Sequence, residues 1–236
     1  MMTLLRVCLL ACVPACAFAL GGNQLYTGDA WTVPSGKSQA LAFTDHTHPT
    51  RARLGGIQIR PGLTSNVDAK IACSYLWNSS GPDAEFGPNV GFKWRFAGNG
   101  LTKPSMAISA QYAISQKVGD RDHKGDCGLT LIGSYPTRYA EILANFGRVW
   151  VGDNVPDLHF ASFALVRPVA KRTLIAVEYS SIRRVDKGGP PTSGRQVAAA
   201  VLYGDRQGWS YGAEVGYLPD TLHVRWHSTL SVSVVF

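Results

Sequence analysis

Strict alternation of apolar and polar residues recurs along most of the chain, and it leaves few folds open. In Met106–Ser115, Met106, Ile108, Ala110, Tyr112 and Ile114 alternate with Ala107, Ser109, Gln111, Ala113 and Ser115. In Val90–Phe96, Val90, Phe92, Trp94 and Phe96 alternate with Gly91, Lys93 and Arg95. The last stretch is the longest: Leu222, Val224, Trp226, Ser228, Leu230, Val232, Val234 and Phe236 alternate with His223, Arg225, His227, Thr229, Ser231, Ser233 and Val235. A period of two is the signature of strands with two unlike faces. Helical periodicity is hard to find, so the chain is expected to be all-β.

About twelve such segments can be drawn: 38–44, 53–60, 66–76, 89–97, 103–116, 126–135, 140–151, 158–167, 172–183, 196–203, 209–217 and 221–236. Connections after even-numbered segments are short, as in Pro61–Ser65, Gly98–Thr102 and Pro136–Tyr139. Those after odd-numbered segments are mostly longer and more polar, as in Asp45–Ala52, Trp77–Pro88, Lys117–Gly125 and Arg184–Arg195. Short inner turns and long outer loops are the arrangement of outer-membrane barrels.

Alternation alone does not say which face is inside. A soluble barrel turns its apolar face inward, a membrane barrel outward. The apolar face here carries large aromatics near strand ends (Trp94, Trp150, Trp209, Tyr217, Trp226), which suits interfacial girdles. The opposite face carries charges of both signs. An arginine or lysine facing lipid at midplane costs about 2–4 kcal/mol, so these belong in a polar lumen. Lys70, Lys93, Arg95, Gln111, Glu178, Glu214 and Arg225 are the expected lumen-lining, ligand-contacting residues. Lys93 and Arg95 can pair with Glu178 or Glu214 across the bore, and such wall-to-wall pairs and contact with a ligand are both open readings. The final Leu230, Val232, Val234 and Phe236 resemble the signal read by the bacterial barrel-assembly machinery.

Met1–Ala19 reads as a secretory signal peptide: Arg6, an apolar Val7–Val13 run, then Ala17-Phe18-Ala19. Residues 20–37 then form an N-terminal periplasmic segment and 38–236 the barrel. The cell outer membrane is the expected destination, with its lipids as surroundings. Cys73 and Cys127 remain after cleavage; pairing and two free thiols are both open readings.

The chain Leu25-Tyr26-Thr27-Gly28-Asp29-Ala30-Trp31-Thr32-Val33-Pro34-Ser35-Gly36-Lys37 resembles the opening of the outer-membrane transporter family first linked to the MetA pathway of phenol degradation. Lys103-Pro104-Ser105, Asp126-Cys127-Gly128-Leu129, Ala144-Asn145-Phe146-Gly147 and Ala176-Val177-Glu178-Tyr179 are further points of resemblance. The resemblance implies a twelve-strand-like barrel that passes hydrophobic or aromatic compounds.

Other functions find less support. A lipid-modifying enzyme needs a serine activated by a histidine. His46, His48, His123, His159, His223 and His227 are the candidates, with no serine motif beside them. His46-Thr47-His48 in a loop lacks a third metal ligand. Nucleic-acid binding is not expected: despite a net charge of +7, the basic residues are scattered. No cofactor motif is present. The expected function is passive uptake of small molecules, whether hydrophobic, aromatic or anionic. The alternatives are a barrel enzyme and a closed structural or adhesion barrel.

Overall fold

The computed structural model describes residues 28–49, 51–78, 83–100, 102–114, 116–119, 121–123, 125–151, 157–185, 193–204, 208–219 and 224–236. Fourteen strands follow in chain order. They are β1 (Ser38–Pro49), β2 (Arg53–Pro61), β3 (Val67–Trp77), β4 (Ala84–Ala97), β5 (Ser105–Ala113), β6 (Gln116–Val118) and β7 (Arg121–His123). The rest are β8 (Cys127–Pro136), β9 (Glu141–Trp150), β10 (Asp157–Ala170), β11 (Thr173–Val185), β12 (Ser193–Gly204), β13 (Trp209–Tyr217) and β14 (Val224–Val235). Twelve of them form a closed antiparallel barrel, with β6 and β7 as a small hairpin beyond it.

Closure leaves no lipid-exposed edge, which a membrane-spanning sheet requires. The last seam joins the ends of the chain. β1 pairs with β14 from Gln39↔Val235 onward, and Ser38 and Phe236 exchange backbone hydrogen bonds of 2.8 and 2.9 Å. The twelve expected segments match the barrel strands in number and order.

The outer wall is apolar. Ile57, Ile59, Phe92, Leu165, Val177 and Leu230 all face outward and are exposed. Trp77, Trp150 and Trp226 ring the end that carries the long loops; Trp94, Phe96, Tyr135, Tyr203 and Tyr211 ring the end that carries the short turns. Two aromatic girdles around an apolar band match a bilayer core with its two interfaces. The closed barrel and this wall place the chain in an outer membrane, with the short-turn end inward.

Three sequence expectations are corrected at the long-loop end. β1 runs on to Pro49, so Asp45 lies in the wall and His46 and His48 are strand residues, not loop residues. The turn is tight: Thr47 donates to Ala52 O from its amide (3.0 Å) and its hydroxyl (3.2 Å). The His-Thr-His-Pro tail looked like loop because it is polar, but strand ends above the hydrocarbon tolerate polar residues. β4 begins at Ala84, ahead of Gly87-Pro88, which is absorbed by a register shift opposite Ala72–Ser74. The expected loop Lys117–Gly125 holds the β6–β7 hairpin, whose Gln116–Val118 pairs with Ala84–Phe86.

Cys73 and Cys127 are free and exposed, on strands that are not neighbours. Residues 1–27, including the expected signal peptide and Arg6, lie outside the described residues.

The lumen and its N-terminal strap

The inner wall is built by the polar phase of each strand. Its described cations gather on neighbouring strands. Arg60, Lys70 and Lys93 are buried on β2–β4, with Arg95 half-buried below them. Asp45 is buried on β1, beside β2, and Glu178 and Glu214 are buried on β11 and β13, further round the wall. The cation side holds an acid as well: Asp68 on β3 faces Lys93 on β4, whereas Glu214 on β13 faces Thr229 on β14, which faces Asp45 on β1.

The cross-bore pairs do not form. Lys93 Nζ donates to the backbone carbonyl of Asp29 (3.1 Å) and lies 3.6 Å from its carboxylate. Arg95 Nη2 donates to Ser65 O at 2.6 Å. Both partners belong to the short-turn end, nearer than the carboxylates of the far wall. Lys70 Nζ donates to Gln111 Oε1 at 2.8 Å, which brings two predicted residues together. Glu178 and Glu214 both point inward and are deeply buried. Arg225 is in β14, but its side chain lies outside the described residues.

What occupies the space beside Lys93 is the segment Gly28–Val33. It crosses the short-turn end of the bore from the β2–β3 turn to β8 and β9. Val33 N donates to Asp68 Oδ2 (3.1 Å), Thr32 Oγ1 to Ser65 O (3.1 Å), and Ala30 N to Ser134 Oγ (2.8 Å). Asn145, with its amide oriented to suit its neighbours, donates to Gly28 O (3.0 Å) and accepts from Gly28 N (2.6 Å). Ala30 packs with Ala107 and Ile132, and Arg60 lies over the Trp31 ring at 5.9 Å. Gly62 lets the strap descend: a Cβ there would run into the carbonyls of Val33 and Pro34. A strap bonded to β3, β4, β8 and β9 narrows one half of the inner mouth.

The opposite half is lined differently. Leu143, Ala164, Val166, Ala176 and Ala200 form an apolar cluster on β9–β12 near the short-turn end. At the long-loop end the inner face is apolar on both sides. Leu54, Leu76, Ala84 and Phe86 pack with Phe43 on one side, and Val149 and Leu158 pack with Phe160 and Ile182 on the other. Between these ends runs a belt of Ser162, Ser180, Gln196, Asn145 and Thr130.

Sequence reading missed Arg60 and Asp45 in this interior. Arg60 ion-pairs with Asp68 at 2.6 Å and donates to Gln39 Oε1 at 3.1 Å. His227 stands between Asp45 (3.4 Å) and Glu214 (3.8 Å). Arg60 follows Leu54, Gly56 and Gln58 in phase, so the alternation of β2 was the available signal. Asp45 was hidden by ending β1 one residue early.

Of the histidines weighed for catalysis, His46 and His48 share the outside of β1, with ring centroids 5.6 Å apart. His159 is exposed on the outside of β10, and His227 is held between carboxylates. The side chain of His123 and the whole of His223 lie outside the described residues.

An apolar outer wall, a closed twelve-strand barrel and a polar, charged inner face define an outer-membrane β-barrel. Solved structures agree on the fold. The NanC porin superposes with a TM-score of 0.64 at 9% identity, covering 83% of this chain and 98% of that one. An outer-membrane channel from Pseudomonas putida F1 gives 0.64 at 11% identity, covering 89% and 98%. The KdgM porin gives 0.58 at 9% identity, covering 84% and 99%. No family model matches the sequence, and no curated protein matches it significantly.

Proposed function

We propose that the protein is a passive, non-enzymatic channel for small apolar and aromatic solutes, including aromatic acids. The observation that carries this reading is the lining of the bore. Apolar clusters at the outer mouth, Leu54–Leu76–Phe86 and Val149–Leu158, lead past Ser162, Ser180 and Gln196 to the Leu143–Val166–Ala176–Ala200 cluster beside the strap, in whose rows the carboxylates Glu178 and Glu214 also face inward. An apolar solute entering such a mouth leaves water at about 25 cal/mol per Å² buried, enough to concentrate it there.

Strongly anionic solutes are the weaker reading. Arg60 and Lys93 are engaged by Asp68 and Asp29, and Lys70 by Gln111, so these buried cations are not offered to a solute. The structural likeness to porins and channels, and the resemblance to the transporter family linked to phenol degradation, fit the same reading. One likeness points elsewhere in chemistry: KdgM has been solved in complex with disordered oligogalacturonate.

Uptake into proteoliposomes tests the reading. The protein should pass a neutral aromatic such as phenol, and benzoate more slowly, with little passage of an oligosaccharide. Phe86→Asp and Leu76→Asp, which place charge in the mouth, should slow the aromatics several-fold. Equal passage of sugar and aromatic, or indifference to both substitutions, would refute it.

A further inference from the structure

One row of the inner wall joins an acidic half to an apolar half. Asp45, Thr229, Glu214, Ala200, Ala176 and Val166 are successive cross-strand partners on β1, β14, β13, β12, β11 and β10. All six are buried on the inside. Ala200, Ala176 and Val166 belong to the apolar cluster that Leu143 and Ala164 complete. Neighbouring strands are about 4.8 Å apart, so Glu214 is one spacing from Ala200 and roughly 10 Å from Ala176.

The acidic half is short of donors. Glu214 is 2% exposed, and neither of its carboxylate oxygens has a hydrogen bond. Asp45 accepts from the Thr229 hydroxyl at 3.3 Å. His227 stands 3.8 Å from Glu214 and 3.4 Å from Asp45, and neither ring nitrogen is hydrogen-bonded. Glu178 lies diagonal to Glu214 across Ala198 and Ala200, and its charge bears on Glu214, as does that of Asp45. Among the described residues the lumen cations are engaged elsewhere. Arg60, Lys70, Lys93 and Arg95, all on β2–β4, are held by Asp68, Gln111, Asp29 and Ser65. A buried carboxylate is costly until donors reach it.

An occupant of this row has to bring both positive charge and apolar surface. An anion is repelled, and a neutral apolar solute leaves Glu214 unanswered. The acids are strung along the wall instead of converging, and among the described residues no three His, Cys, Asp or Glu side chains could hold a metal ion. An alkylammonium group presents three N–H donors on one charge, and its apolar remainder suits the alanines beside Glu214.

We propose that this row binds a small organic amine in its ammonium form. Glu214 accepts from the ammonium, Asp45 and Glu178 add attraction, and the apolar body lies along Ala200, Ala176 and Val166. The site deepens the channel reading by naming cationic amines among the apolar solutes, and it rests on that reading for the solute's way in.

Isothermal titration calorimetry of the purified protein in nonionic detergent, at neutral pH, tests the site. Phenethylammonium should bind. Phenethyl alcohol and hydrocinnamate should bind about tenfold or more weakly, and potassium or methylammonium in about hundredfold excess should not displace the ammonium. Glu214→Gln keeps the shape and removes the charge, and should weaken phenethylammonium to near the level of the alcohol. Glu85→Gln, exposed at the long-loop end of β4, should leave binding unchanged. Absence of binding, equal binding of ammonium and alcohol, displacement by either small cation, or full affinity in Glu214→Gln would overturn the proposal. If Glu214→Gln does not fold, as judged by heat-modifiable gel mobility, the ligand series on the wild type still decides. Binding is read in detergent and uptake in vesicles, so the two failures are separate. A protein that binds the ammonium but passes no aromatic solute loses the channel reading and keeps this site. One that passes aromatics without binding the ammonium loses this site alone.

Discussion

Lys93, on the barrel wall, donates to the backbone carbonyl of Asp29 and stands 3.6 Å from its carboxylate, tying the N-terminal strap to β4 from inside the bore. Loss of a charge-assisted hydrogen bond of this kind costs about 1.5–3 kcal/mol. Lys93→Met should therefore loosen the strap. In a Cys73→Ser/Cys127→Ser background, a thiol at Val33→Cys is shielded by burial; adding Lys93→Met should raise its maleimide labelling rate about tenfold. An unchanged rate would show that the strap is held without this contact.

Arg60 and Asp68 form a buried pair at 2.6 Å, and Asp68 also accepts from the Val33 amide. Removing one member leaves the other charge buried without its partner, at about 3–5 kcal/mol. Asp68→Ala should lower the unfolding free energy by that order in urea titrations from lipid vesicles. Arg60→Met/Asp68→Leu should lose much less, since neither charge is then left alone.

His227 lies over Gly216, between Asp45 and Glu214. A side chain at position 216 would take the place of the imidazole. Gly216→Val should push His227 out, leave the two carboxylates without the imidazole between them, and destabilise the barrel by about 1–3 kcal/mol from overpacking alone. A neutral result in the same urea titration would show that the imidazole has room elsewhere.

Much of the fold was legible in the residues because a barrel wall writes itself in a period of two. The alternation in Met106–Ser115 and Leu222–Phe236 gave both the strands and their facing: Trp226, Leu230 and Phe236 are outside, His227 and Thr229 inside. Boundaries failed where the wall rises above the hydrocarbon, at His46–Pro49 and Ala84–Pro88, because the lipid no longer enforces the pattern there. The lumen was legible by face and not by partner. Lys93 and Arg95 follow the inward phase of β4, but their partners Asp29 and Ser65 come from a strap and a turn, which carry no periodicity. Arg60 was missed because one cation at the end of β2 adds nothing to an alternation already counted.

Phe236 separates recognition from stability. Its backbone pairs with Ser38, but its ring is exposed. Phe236→Ser should change the stability of the refolded barrel by no more than about 0.5 kcal/mol, as for other exposed positions. Levels of assembled protein in cells should fall several-fold if the terminal aromatic is read by the assembly machinery. Equal levels in cells would remove Leu230, Val232, Val234 and Phe236 from that role.

The most direct test of the whole account is planar-bilayer conductance of the wild type beside a form lacking residues 20–36. A lumen narrowed by the strap predicts small discrete openings in the wild type and openings several-fold larger once the strap is gone. Identical traces from the two forms, or silence from both, would contradict it.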